Sequence, residues 1–147
     1  MRDFDRPLDE RGRIEAELIG RFLEERGVKT DLILSSPALR TRETVAIVTT
    51  TAGLVVELQL DQRIYEAGLA ALIEVISEVD TGKDVVLLVG HNPGMEILIE
   101  RLTGRAASMA SGTLAKILLN ADSWTNAFDE QGELESLVKP NDLRSAK

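Results

Sequence analysis

Two strand-to-helix junctions in this sequence carry residue types that hold an anion. The first is LILSSPALRTRET, Leu32 to Thr44. An aliphatic run ends in Ser35, Ser36 and Pro37. Ser36 and Pro37 read as the N-cap and first residue of a helix, and Arg40 follows within its first turn. Unbonded N–H groups at a helix start, beside a guanidinium, make an anion site. The same residues also fit a plain cap followed by exposed arginines. The second junction is VVLLVGHNPGMEIL, Val85 to Leu98. Here His91 stands at the tip of an aliphatic run, and Asn92, Pro93 and Gly94 turn into another helix. A histidine so placed can bind a phosphoryl oxygen or carry a proton. It also fits an imidazole that hydrogen-bonds a turn. A third segment, DQRIYEAG (Asp61 to Gly68), puts Glu66 just ahead of a helix. Glu66 is a candidate general acid, or a carboxylate set favourably against a helix N-terminus.

For these residues to meet, the strand ends must share one rim. Asp9 to Arg26 reads as a helix, with Asp9 as N-cap, Gly27 beyond its end, and a stripe of Ile14, Leu18, Ile19, Phe22 and Leu23. Asp31 to Leu34 is a short strand, and a helix runs from Ser36 to about Thr50. Leu54 to Leu60 alternates, as a half-exposed edge strand does. Gly68 to Val79 is a helix. Asp84 to Val89 is a strand, apolar from Val85 onward, the pattern of a strand covered on both faces. Met95 to Leu102 is a helix, Thr113 to Leu119 and Glu133 to Val138 are strands, and residues 141–147 form a frayed tail. This order implies an α/β sandwich with a largely parallel sheet. In such sheets ligands collect beyond the carboxyl ends of the strands, where Arg40 and His91 both fall.

Composition narrows the class. With 147 residues, 44% hydrophobic and 29% charged, the chain reads as one globular domain spanning residues 1–147. Lys and Arg number 17 against 25 Asp and Glu, a net charge of -8, which disfavours binding to nucleic acid or an anionic membrane. There is no Cys and one His, so neither thiolate chemistry nor a multi-His metal site is expected. No run approaches the roughly 20 apolar residues of a membrane helix. The first residues, MRDFDRPLDERG, lack the apolar core of a signal peptide. The expected location is the cytoplasm. No nucleotide-binding glycine loop and no G-x-S-x-G elbow is present.

Taken in order, RDFDRPLDERG (Arg2 to Gly12), LILSSPALRTRET, RIYEA (Arg63 to Ala67) and LLVGHNPGMEIL (Leu87 to Leu98) resemble the histidine phosphatase superfamily, most of all its small SixA-like phosphohistidine phosphatases. The ending ELESLVKPNDL, Glu133 to Leu143, is similar to that family's last strand and tail. The resemblance implies a three-layer, phosphoglycerate-mutase-like sandwich and metal-free, cofactor-free phosphoryl transfer. A histidine attacks phosphorus, and water then hydrolyses the phosphohistidine. Two arginines and a second histidine hold the phosphoryl oxygens, and an acid protonates the leaving group. On this likeness Arg40 and His91 hold the phosphoryl group and Glu66 is the acid. Arg6 stands near the mouth, with Ser36 and Asn92 as further substrate contacts.

The family's nucleophile lies in an Arg-His-Ala or Arg-His-Gly motif ending a first strand, ahead of the segment that matches Arg2 to Gly12. This sequence opens in the loop after that motif, and its one histidine falls in the second-histidine motif. The expectation is a domain without its first strand, nucleophile and partner arginine. Four or five buried aliphatic side chains contribute roughly 6–15 kcal/mol, comparable to the roughly 5–15 kcal/mol stability of a whole domain, so such a chain is expected to fold poorly alone. Three functional expectations follow. One is an enzyme completed by upstream residues. Another is a non-catalytic phosphate- or phosphoprotein-binding module, and the third is a decayed fragment. The short segment from Thr44 to Asp84 leaves no room for a large lid. That suits phosphohistidine on a carrier protein, with small phosphate esters as the alternative partners.

Overall fold

The computed structural model describes residues 1–144. Helix α1 (Glu10–Glu25) starts where the sequence expects it, because the Asp9 carboxylate accepts the Gly12 N–H at 2.8 Å. It ends at Arg26, and Gly27 then takes a φ of 60° that a side chain would resist. Two details of its stripe differ from expectation. Ile14 is 45% exposed, and Glu15 is buried in its place. Glu15 is tolerated there because its carboxylate receives Ser111 Oγ at 3.0 Å and Arg11 Nε at 3.3 Å.

Strand β1 (Leu32–Ser35) is the centre of a three-stranded parallel sheet. Strand β2 (Glu57–Leu60) lies on one side, with Leu32 opposite Glu57, and β3 (Val86–Val89) on the other, with Leu32 opposite Val86. Helices α1 and α2 (Leu39–Ala52) pack on each other around Ala16, Ile19, Leu23 and Val48. Helices α3 (Leu69–Ser77) and α4 (Gly94–Thr103) join the apolar side chains of Leu32 and Leu34 in a separate core with Leu72, Val75, Leu98 and Leu102. Every β1 residue is buried, so the strand is covered on both faces. Strands β4 (Leu114–Leu118) and β5 (Glu133–Val138) form their own antiparallel pair, followed by α5 (Pro140–Arg144).

The chain passes from β1 through α2 to β2 on one side, then through α3 to β3 on the other. The strand order therefore reverses beside β1, and the carboxyl ends of β1 and β3 flank the switch point where α/β sheets bind ligands.

Four expectations change. Helix α2 begins at Leu39, so Ser36 does not cap it; its Oγ instead accepts the Ala38 N–H at 3.2 Å and fixes a turn. The late strands stand apart from the parallel sheet rather than extending it. Strand β3 is only half-buried despite its aliphatic run. One edge pairs with β1, while β3 and β4 line a largely apolar cleft of about 840 Å³. Residues 141–144 are helical rather than frayed, and the rest of the expected tail, residues 145–147, lies outside the described residues.

Candidate phosphoryl-binding site

The turn from β1 into α2 is wired from within. Ser35 Oγ donates to the Ser36 carbonyl at 2.9 Å, and Thr41 Oγ1 reaches the Ser36 and Ala38 carbonyls at 2.8 and 2.9 Å. Ser35, Ser36 and Ala38 are fully buried. This turn therefore presents Arg40 from a rigid base. At the end of β3, Gly90 sits so close to its neighbours that a Cβ there would lie 2.8 Å from Met95 Cε and 3.1 Å from Ile64 Cγ2. The glycine lets the strand end close in, and His91 follows it onto the same rim.

There the two predicted residues meet. Arg40 Nη2 lies 3.2 Å from His91 Nδ1, and His91 Nε2 lies 2.8 Å from Ser36 Oγ. Arginine has donors only, so His91 Nδ1 must be the acceptor and Nε2 must carry the proton. Ser36 Oγ then accepts from both the imidazole and the Ala38 N–H. Burial first, and the Arg40 charge second, push the His91 imidazole below its ordinary value of 6.5, against the opposing pull of Asp3 and Glu66. The site is thus a guanidinium beside a neutral imidazole. On protonation, Nδ1 changes from acceptor to donor.

Two residues that sequence reasoning missed complete the rim. Asp3 lies in a short 3-10 turn, Asp3–Asp5. Its carbonyl accepts Arg40 Nη1 at 2.9 Å, and its Oδ2 accepts Arg40 Nη2 at 3.1 Å and the Tyr65 hydroxyl at 2.7 Å. The Tyr65 ring meets Phe4 and His91 edge-on, with centroids 5.1 and 5.5 Å apart. The Tyr65 hydrogen bond, and then Arg40, hold the Asp3 carboxyl below the usual carboxylate range. The same bond is the chief reason the Tyr65 phenol is pushed up to about 12. Both residues flank motifs already singled out, since Tyr65 precedes Glu66 and Asp3 precedes Arg6. Only the fold shows that they converge on Arg40.

The remaining predicted residues sit around this centre. Arg6 Nη2 binds the other Asp3 oxygen at 2.8 Å, so Arg6 reaches the rim through Asp3. Glu66 is exposed, held at a φ of 54°, and no hydrogen bond or ion pair among the described residues engages its carboxylate. It is close enough to act electrostatically on both His91 and Tyr65. Its turn is braced by Gly94, where a Cβ would come within 2.9 Å of the Ala67 carbonyl. Asn92 is turned elsewhere, donating through Nδ2 to the Met109 carbonyl and tying a later loop to the His91 turn. The Met109 N–H in turn donates to Glu96 Oε2 at 2.7 Å.

A parallel sheet with an arginine and a histidine together at its switch point defines an α/β domain with a candidate site at the carboxyl ends of its strands. The chain belongs to the histidine phosphatase superfamily, branch 1, whose sequence profile matches residues 2–72. A chloroplastic protein of Arabidopsis thaliana is 30% identical over 96% of this chain and 71% of its own length. A Mycobacterium tuberculosis protein is 33% identical over 74% of this chain and 68% of its own. Among solved structures, a SixA of Nakamurella multipartitia, described as a putative phosphohistidine phosphatase, superposes with a TM-score of 0.85 at 24% identity. It covers 95% of this chain and 88% of that one. A similarly described SixA of Agrobacterium tumefaciens gives 0.81 at 28% identity, over 95% and 87%. The fold is accordingly the SixA-like, phosphoglycerate-mutase-like sandwich.

Proposed function

We propose that this chain supplies the phosphoryl-binding half of a phosphohistidine phosphatase site, with a phosphorylated carrier protein as substrate. The observation that carries this reading is the Arg40–His91–Ser36 constellation at the switch point. Arg40 neutralises charge on the phosphoryl oxygens, and His91, protonated at Nδ1 when the anion arrives, donates to an oxygen while Ser36 holds its Nε2–H. Glu66, on the rim and unpaired among the described residues, is the acid for the leaving group, and Arg6 steers the anionic substrate towards the mouth. Such a site works by placement and charge neutralisation. The open rim suits a protein-borne phosphohistidine better than a small ester. A cytoplasmic carrier protein bearing phosphohistidine is the class of partner this favours.

The attacking histidine of the two-step reaction is a separate residue in this reading, because His91 is the sequence's single histidine and is spent on binding. That observation favours a second reading, a phosphoprotein-binding module without turnover. One experiment separates them. Protein purified from its source cells is characterised by intact mass and N-terminal sequence, then assayed for hydrolysis of a phosphohistidine carrier. Turnover that His91→Ala lowers by at least about tenfold supports the phosphatase. Binding of the carrier without turnover supports the module. Neither binding nor turnover overturns both.

A further inference from the structure

Arg40 offers five N–H donors, and its best anion site is the fork that pairs two of them with two oxygens. In this structure the fork is not free. Nη1 donates to the Asp3 carbonyl at 2.9 Å, while Nη2 donates to Asp3 Oδ2 at 3.1 Å and to His91 Nδ1 at 3.2 Å. The Asp3 carbonyl and one Asp3 carboxylate oxygen together occupy the fork, the position that a phosphoryl group needs. We propose that Asp3 is an internal competitor for this site, latched over Arg40 by Tyr65, and that a phosphoryl group binds by displacing it. The proposal rests on the phosphoryl-binding reading and adds to it a closed state.

The latch is built to open. Asp3 sits in a 3-10 turn with no buried residue, so lifting it uncovers little apolar surface. Its holding contacts are few and polar: Arg40, the Tyr65 hydroxyl at 2.7 Å, and Arg6 at 2.8 Å. The Phe4–Tyr65 edge contact aligns the turn. By contrast, the base that presents Arg40 is fully buried at Ser35 and Ser36, so the site persists when the turn leaves. A tethered carboxylate acts at an effective concentration of about millimolar, enough to keep weakly bound monoanions out. A phosphoryl dianion carries more charge and more acceptor oxygens, so it is the ligand able to compete.

Calorimetry with inorganic phosphate tests this on the full chain. Asp3→Asn keeps the shape and removes the charge, and Asp3→Ala removes both. Each is expected to bind phosphate about tenfold more tightly than the parent, and Tyr65→Phe about threefold more tightly, as loss of one charge-assisted bond predicts. Asp5→Asn makes the same change in net charge two residues away, where the carboxylate pairs with Arg2 instead, and is expected to stay within about twofold. Equal gains for Asp3→Asn and Asp5→Asn would mean a general field effect and overturn the latch. Weaker binding by the Asp3 variants would overturn it too, because Asp3 would then be positioning Arg40. If phosphate binds the parent and Arg40→Ala abolishes it while the Asp3 variants change nothing, only the latch fails. If no variant binds phosphate, the phosphoryl-binding reading fails and takes the latch with it.

Discussion

Arg63 and Arg40 meet carboxylates in different ways: Arg63 engages three of them and Arg40 one. Arg63 has all its donors in use. Nε and Nη2 grip Asp61 at 3.0 and 2.7 Å, Nη1 grips Glu74 at 2.6 Å, and both η nitrogens reach Glu78 at 2.9 and 2.8 Å. Those bonds, led by Glu78, raise the Arg63 pKa further and leave no room for a ligand. Arg40 faces one carboxylate, one carbonyl and a neutral imidazole, and no bond among the described residues engages its Nε. Arg63 ties the segment after β2 to α3. Arg40 stands at the topological switch point, in the first turn of α2 just after a buried turn. Saturation of donors by three acidic neighbours fits a structural arginine; one acidic neighbour and a histidine fit the binding role proposed for Arg40.

Variants sharpen that difference. The largest expected effect is on ligand binding: Arg40→Ala weakens phosphate by on the order of a hundredfold or more, since it removes two bonds to a charged group. Arg63→Ala leaves phosphate affinity within about twofold, as distant sites act independently. Calorimetry on both variants reads the contrast, and an equal loss would erase it. Next in size, His91→Ala weakens phosphate about tenfold, the loss of one such contact. The two arginines then exchange roles in a thermal melt. Arg63→Ala lowers the midpoint, because three carboxylates lose their common partner, while Arg40→Ala shifts it less.

The smallest effect is on pH. His91 titrates below its unfolded value of 6.5, so the unfolded chain binds more protons than the folded one in that window. The stability this site contributes is fully present above about 6.5 and is lost as pH falls through the lower folded value. Denaturant melts at pH about 7.5 and about 5.5 are expected to show a decline that His91→Gln reduces.

The Arg40–Arg63 contrast was only half legible in the sequence. Arg40 and His91 stand at the ends of aliphatic strands, and the rule that α/β sheets bind ligands there needs only element order. The capping of α1 by Asp9 and the edge position of β2 are likewise local, set by neighbours within a few residues. Asp3 and Tyr65 are not. Asp3 reaches Arg40 across 37 positions and Tyr65 reaches Asp3 across 62, so only the folded chain joins them. Arg63 looked like part of a motif, and its saturation depends on Glu74 and Glu78 rotating onto one face of α3's end. The start of α2 was misplaced because Ser36 bonds Ala38 N–H in a turn, which uses the same residue types as a helix cap. The half-exposed aliphatic β3 is also beyond local reading, because burial depends on what lies across its free edge.

His91 is the sequence's single histidine, so its imidazole gives one unambiguous NMR signal. Titrating that signal with pH, in the absence and presence of saturating phosphate, tests the central claim. The account predicts a pKa below 6.5 in the free protein that rises when phosphate binds, because the anion beside Arg40 favours the imidazolium. A titration curve that phosphate leaves unmoved, at concentrations well above those expected to fill the site, would contradict it.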